Sequence, residues 1–339
     1  MLEGFDFGVG ILHGVVGRTD DERRVAINAI GPLWDGNEVW LIVAGAGMFA
    51  AFPGWYATMF SGFYLALVLV LVALIIRGVS FEYRGKRDGA RWRRTFDWLL
   101  TIGSLLAPFL LGVALGDLLH GLPIGSNQEF TGTFWDLLTP YGLFVGLTLV
   151  LICVLHGATF LSLKTTGPVR ERSDRLARRF APVTAAVVLV FASWTQVTID
   201  KGVIPGLVEV TAVLAIVAVV WLIREGREGW AFTMTTIAMA TTVLTIFVDL
   251  YPRVMVSSTN AAYDLTISNT ASSPYTLRVM TVVVALFLPL VIVYQGWTYY
   301  VFRRRIGGPD LETEPGGADA PQDAGGGAAA GPAPVPATD

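Results

Sequence analysis

Charge, cysteine and histidine are all scarce in this chain of 339 residues. Only 15% of the residues are Asp, Glu, Lys or Arg, against roughly 25% in an average soluble domain. That shortage argues against an ordinary water-soluble enzyme and against a nucleic-acid binder. A single cysteine, Cys153, excludes an intrachain disulfide and a cysteine-based metal cluster. Three histidines, His13, His120 and His156, leave little room for a multi-histidine metal or haem site. No P-loop, GxGxxG, HExxH or Ser-His-Asp arrangement stands out. The chain's own residues therefore predict no metal site, no cofactor site and no catalytic centre.

What the sequence has instead is long apolar stretches. Crossing about 30 Å of hydrocarbon takes about 20 apolar residues in a helix. Uncharged runs of this kind lie at 98–116, 137–163, 180–199, 229–248 and 279–302, and 203–223 is interrupted only by Glu209. Residues 39–76 carry no charge at all. As one straight helix they would extend about 57 Å, too far for one crossing. Pro53-Gly54 predicts a turn, which gives spans near 38–53 and 55–77. Residues 1–17, with Glu3 and Asp6, read as the second part of a first span whose beginning is missing. They lack the basic start of a signal peptide. The expectation is an all-α integral membrane protein of about nine spans over 1–306. A Gly/Ala/Pro-rich acidic tail at 307–339 cannot bury enough apolar surface to order itself.

Basic residues test that count. With the loop after the first span placed inside and the sides alternating, 21 of the 24 Lys and Arg fall inside. Only Lys201, Arg253 and Arg278 fall outside. This is the asymmetry of a multi-pass protein with its tail in the cytoplasm. Treating 38–77 as one span would move the Arg77–Arg94 cluster to the side of Lys201.

A carboxylate at mid-membrane costs about 2.5–3.5 kcal/mol on insertion scales. Glu3 and Asp6, three apart, share a helical face that continues through Gly10 to His13. Asp35 and Glu38, again three apart, stand at the inner end of the second span. Two readings are open. The acids can be helix caps or partners of loop arginines such as Arg23 and Arg24. Alternatively they form a line that accepts and releases protons in turn. No basic residue is expected at the depth of Glu3 and Asp6. His13 can join such a line, since imidazole titrates near neutrality, or can bond a backbone carbonyl. His156 reads more simply as an interhelical hydrogen bond than as a ligand. Asp117, Asp200 and Asp249 fall at outer helix ends. Gly142 and Gly146 form a GxxxG pair suited to close helix approach.

Three stretches together resemble one family. They are Glu3-Gly-Phe-Asp-Phe-Gly-Val-Gly10, Ile30-Gly-Pro-Leu-Trp-Asp-Gly-Asn-Glu-Val-Trp40, and Phe60-Ser-Gly-Phe-Tyr64 followed by Arg77-Gly-Val-Ser-Phe-Glu-Tyr-Arg84. Asp21-Glu-Arg-Arg24 fits as well. The chain resembles subunit II of the cytochrome bd quinol oxidases, of an actinobacterial type and short at its N-terminus. The resemblance implies two four-helix bundles plus a peripheral helix in the bacterial plasma membrane. It implies a heterodimer with a subunit I that binds two b-type haems and one d-type haem. Small accessory subunits can attend that pair. The complex oxidises quinol, here menaquinol, and reduces oxygen to water. By resemblance Asp35, Asp6 and Glu3 belong to a cytoplasmic proton path, and Trp40 stands near a proposed oxygen route. Glu38 stands where glutamine is frequent. The rival reading is a proton-coupled secondary transporter, but the internal repeats common in such carriers are not visible.

Overall fold

The computed structural model describes residues 1–198 and 203–308; Asp200, Lys201 and the expected tail from 309 onward lie outside them. Twelve α-helices account for most of the described residues. In chain order they are α1 (Leu2–Val16), α2 (Asp20–Asn28), α3 (Trp34–Ala51), α4 (Pro53–Gly62), α5 (Tyr64–Tyr83) and α6 (Ala90–His120). There follow α7 (Pro140–Lys164), α8 (Gly167–Thr198), α9 (Val203–Arg224), α10 (Glu228–Leu250), α11 (Ile267–Thr270) and α12 (Pro274–Val301). The two strands, β1 (Arg253–Met255) and β2 (Leu265–Thr266), pair antiparallel in the loop beyond α10.

Local chemistry sets the helix starts. Proline opens α4, α7 and α12 at their first turn, where its missing N–H costs nothing. Thr139 and Ser273 cap α7 and α12 with their hydroxyls. Thr19 and Glu22 form a capping box that starts α2.

Among the described residues, seven helices are long and apolar enough to cross a bilayer: α5 to α10 and α12. The chain is a multi-pass membrane protein. The expected nine would add α1 and α3, and neither meets that standard. α1 has 15 residues, and the 18 of α3 include Asp35 and Glu38. The 39–76 stretch also divides differently from expectation. The break falls at Phe52, but Pro53–Gly62 is a short helix of its own, and the next span starts at Tyr64. That span consequently ends at Tyr83 rather than 77. Nothing in Gly78-Val-Ser-Phe-Glu-Tyr83 stops a helix, and the charge of Arg77 is met inside the protein.

α7, α8, α9 and α10 pack into one four-helix bundle, and α1, α5 and α6 with α3 form the other. The bundles join where α7 lies against α1 and α6. That joint is backbone on backbone. A Cβ on Gly8 would fall 1.9 Å from the Cys153 carbonyl oxygen, and one on Gly157 would fall 2.4 Å from the Gly8 carbonyl carbon. The Gly142–Gly146 pair does the same work against Gly116 and Gly112 of α6. α12 is the peripheral helix, with no buried residue.

Candidate functional site

The tight α1–α7 joint holds the acidic end of α1 inside the protein. Glu3 is 6% exposed and Asp6 is fully buried. Asp6 lies ten residues before the end of α1, about 15 Å along the axis. A basic residue does stand at that depth, contrary to expectation. Arg77 of α5 is fully buried, and its Nη1 lies 2.7 Å from Glu3 Oε1 and 2.8 Å from Glu38 Oε2. The contact to Glu38 is an aligned hydrogen bond. The contact to Glu3 is an ion pair without that alignment. The rings of Phe7, Phe81 and Trp34 lie 4.9, 5.2 and 5.8 Å from the guanidinium carbon. They shield the charge from lipid and favour it electrostatically.

Asp6 takes a different partner. Asn37 of α3 donates its Nδ2 to Asp6 Oδ2 at 2.6 Å. The Asn37 Oδ1 accepts from Gln295 Nε2 at 2.9 Å and from the Tyr299 hydroxyl at 2.8 Å, both on α12. Four helices thus converge: α1 gives Glu3 and Asp6, α3 gives Asn37 and Glu38, α5 gives Arg77, and α12 gives Gln295 and Tyr299. Three carboxyls face one guanidinium, so the cluster is neutral only with two protons aboard. Glu3 Oε2, Asp6 Oδ1 and Arg77 Nε and Nη2 have no hydrogen-bond partner within the described residues. These are the atoms a bridging water would need.

The other expected residues fall around this cluster rather than in it. Asp35 is exposed in the first turn of α3, one turn before Glu38. Trp40 is half-buried further along α3. His13 is fully buried, but it belongs to a second polar network. Its Nδ1 is 2.7 Å from the Gly10 carbonyl, and its Nε2 is 3.3 Å from Asp97 Oδ1. Asp97 also accepts from Arg23 at 2.8 Å and from Arg84 at 2.6 Å. Arg84 reaches Asp20 at 2.7 Å, and Arg93 ties Asp20 to Asp88. A cavity of about 700 Å³ opens beside this network between α1, α2 and α6.

Asp117 and Asp249, at the helix ends expected, are buried within the protein, and Asp117 accepts from the Thr139 hydroxyl at 2.6 Å. His156 pairs Nδ1 with the Thr235 hydroxyl at 2.7 Å and stacks on Phe232. Among the described residues no group of three His, Cys, Asp or Glu side chains converges as a metal site. Outside the spans, Glu22 of α2 is held down to about 2, chiefly by the hydrogen bond from Arg172 of α8.

Sequence reasoning found Glu3 and Asp6 and missed Arg77, Asn37, Gln295 and Tyr299. Gln295 carried a usable signal, as the one amide within the uncharged run 279–302.

Known proteins share this sequence and fold. The family model for cytochrome bd terminal oxidase subunit II matches residues 1–302. The Bacillus subtilis cytochrome bd ubiquinol oxidase subunit 2 is 44% identical over 311 residues, covering 90% of this chain and 91% of that one. The Escherichia coli K12 cytochrome bd-I ubiquinol oxidase subunit 2 is 36% identical over 349 residues, with 92% of each chain covered. A chain in the structure of bd oxidase from Geobacillus thermodenitrificans shares the fold at a TM-score of 0.70 and 19% identity, covering 89% of this chain and 93% of that one.

Proposed function

The chain belongs to the cytochrome bd terminal oxidase subunit II family, and from that premise we propose that it is the haem-free second subunit of a quinol-oxidising, oxygen-reducing complex of the plasma membrane. It stabilises a subunit I that carries two b-type haems and one d-type haem, and it brings cytoplasmic protons toward that partner. Menaquinol is the substrate of the complex. The acidic tail faces the cytoplasm.

One observation carries the proton reading: Glu3 and Glu38 share a single guanidinium nitrogen of Arg77. Asp35, exposed at the inner end of α3, collects a proton from the cytoplasm. Glu38 stands one helical turn deeper and receives it. Arg77 holds Glu38 and Glu3 close to one nitrogen, so a proton leaving one carboxyl finds the other as acceptor. Asp6 lies on the same face of α1 as Glu3, and Asn37 fixes its orientation. The arginine's constant charge keeps the carboxyls together in either protonation state. His13 serves a separate inlet from the inner cavity through Asp97. Trp40 lies along the exposed apolar flank of α3, where oxygen approaches from lipid. Drawing protons from inside while quinol releases its own outside conserves about 2.3 kcal/mol per charge per 100 mV.

The test is oxygen uptake by membranes carrying Asp35→Asn, Glu38→Gln or Asp6→Asn. Rates should fall roughly tenfold or more, with haem spectra intact. Wild-type rates in all three remove the path. Purification through a tag on this chain should bring a haem-bearing partner with it. Proton-coupled transport by the chain alone would favour a carrier instead.

A further inference from the structure

The inner cavity has a shape that the proton reading leaves unexplained. α1 and α6 touch at Gly10, where an added Cβ would meet the Ser104 hydroxyl at 2.0 Å. One turn on, at Gly14, an added Cβ meets nothing within 4 Å. The two helices part toward the inner membrane surface, and α2 crosses the opening. The resulting cleft is lined by Ile11, Val15, Arg18, Arg94, Trp98 and Thr101, among others.

Its charges are not all neutralised. Arg23 and Arg93, which also line the cleft, are held by Asp97, Asp20 and Asp88. Arg18 and Arg94 form no ion pair within the described residues, and both are exposed. Below this basic rim the wall turns apolar. Trp98 lines the cleft, and Ile102 and Leu105 continue its face of α6 beyond the cleft; the three are 59%, 46% and 45% exposed. Val15, across the cleft on α1, is 58% exposed. Free guanidinium groups at the level of the headgroups, above an apolar wall that runs into the hydrocarbon, match a phosphate joined to acyl chains.

We propose that the cleft between α1, α2 and α6 binds an anionic phospholipid of the inner leaflet, its phosphate held by Arg18 and Arg94 and its acyl chains laid along Trp98, Ile102 and Leu105. Arginine suits this role because its planar fork can grip two phosphate oxygens at once. Their ion pairs with Asp97, Asp20 and Asp88 keep Arg23 and Arg93 from competing for the phosphate. They also place the lipid at the mouth and not over His13.

The experiment uses the oxidase complex purified through this chain and placed in phosphatidylcholine nanodiscs with increasing phosphatidylglycerol. The thermal midpoint of the wild-type complex should rise with phosphatidylglycerol. The double variant Arg18→Gln/Arg94→Gln should lose at least half of that rise while matching wild type in pure phosphatidylcholine. Arg91→Gln, a charge loss on α6 outside the cleft, should respond as wild type does. A double variant indistinguishable from wild type overturns the proposal, and so does an equal loss in Arg91→Gln. An equal rise with inorganic phosphate in pure phosphatidylcholine overturns the lipid as occupant. Should the double variant fail to assemble, Trp98→Ala with both arginines intact gives a second reading. Mass spectrometry of washed complex should then show less retained phosphatidylglycerol than wild type, and equal retention overturns the proposal.

Discussion

At the residue scale, Arg77 is where a single charge decides the most. It is fully buried, two carboxylates share its Nη1, and three aromatic rings surround it. Removing one partner of a buried pair costs about 3–5 kcal/mol, because the other charge stays behind unpaired. Arg77→Gln should therefore lower the thermal midpoint and the yield of the complex sharply. Adding Glu3→Gln and Glu38→Gln should recover much of the loss, since no ionised group is then stranded. Thermal melts of the single and triple variants check this, and a triple variant no better than the single refutes it. The acids were legible in the sequence because a carboxylate in an apolar helix stands out. Their partner was not. Arg77 sits at the edge of an uncharged run, and a count of basic loop residues absorbs such an arginine into the loop. Asn37 was unreadable for another reason: an amide carries no charge, and only the fold shows it bridging α1 to α12.

At the element scale, α2 and its capping box tie the inner surface together. Glu22 accepts from the backbone of Arg18 and Thr19 and pairs with Arg172 of α8 at 2.7 Å. Arg172, first among the causes, holds Glu22 from its ordinary 4.5 down to about 2. The folded form thus favours the ionised carboxylate. Its contribution is complete above 4.5 and disappears as pH falls toward 2. The protection factors of the α2 amides, which are corrected for the intrinsic slowing of exchange in acid, should fall on acidification through that window. In Glu22→Gln protection should be low already at neutral pH and vary little with acid. An unchanged acid response in the variant would place the sensitivity elsewhere. The order of the long apolar helices was visible from apolar length, but the count of nine and the start of α5 were not. Pro53-Gly54 signals a break correctly, but proline also begins helices, and here it begins a short one before the span.

At the scale of the whole molecule, the two bundles differ in how well they are covered. α7 is buried along much of its length, while α3 buries only Asn37 and α12 buries nothing. Exposed apolar side chains run along α3, α5 and α12. Lipid covers such a surface, and so does a second membrane subunit, as the family relationship implies. Expressed without the haem-bearing subunit, the chain should be degraded faster than in the complex, which pulse-chase in membranes would show. Equal lifetimes would mean that lipid alone covers this surface well. The multi-pass character was legible because apolar length and the side of the basic residues both follow from the bilayer, whereas the two bundles were implied only by the family resemblance. Which flank stays open was not, since a lipid-facing and a subunit-facing helix have the same composition.

Gln295 and Tyr299 come from α12, late in the chain, yet they bond a residue of the third helix. Ser272, just before that helix, donates its hydroxyl to the Ala50 carbonyl at 2.6 Å at the far end of α3. During synthesis the Asn37 oxygen must wait through more than two hundred residues of translation before its donors arrive. Until α12 has been made, the Asn37 oxygen lacks both of these donors, and the third helix is not yet tied to the twelfth.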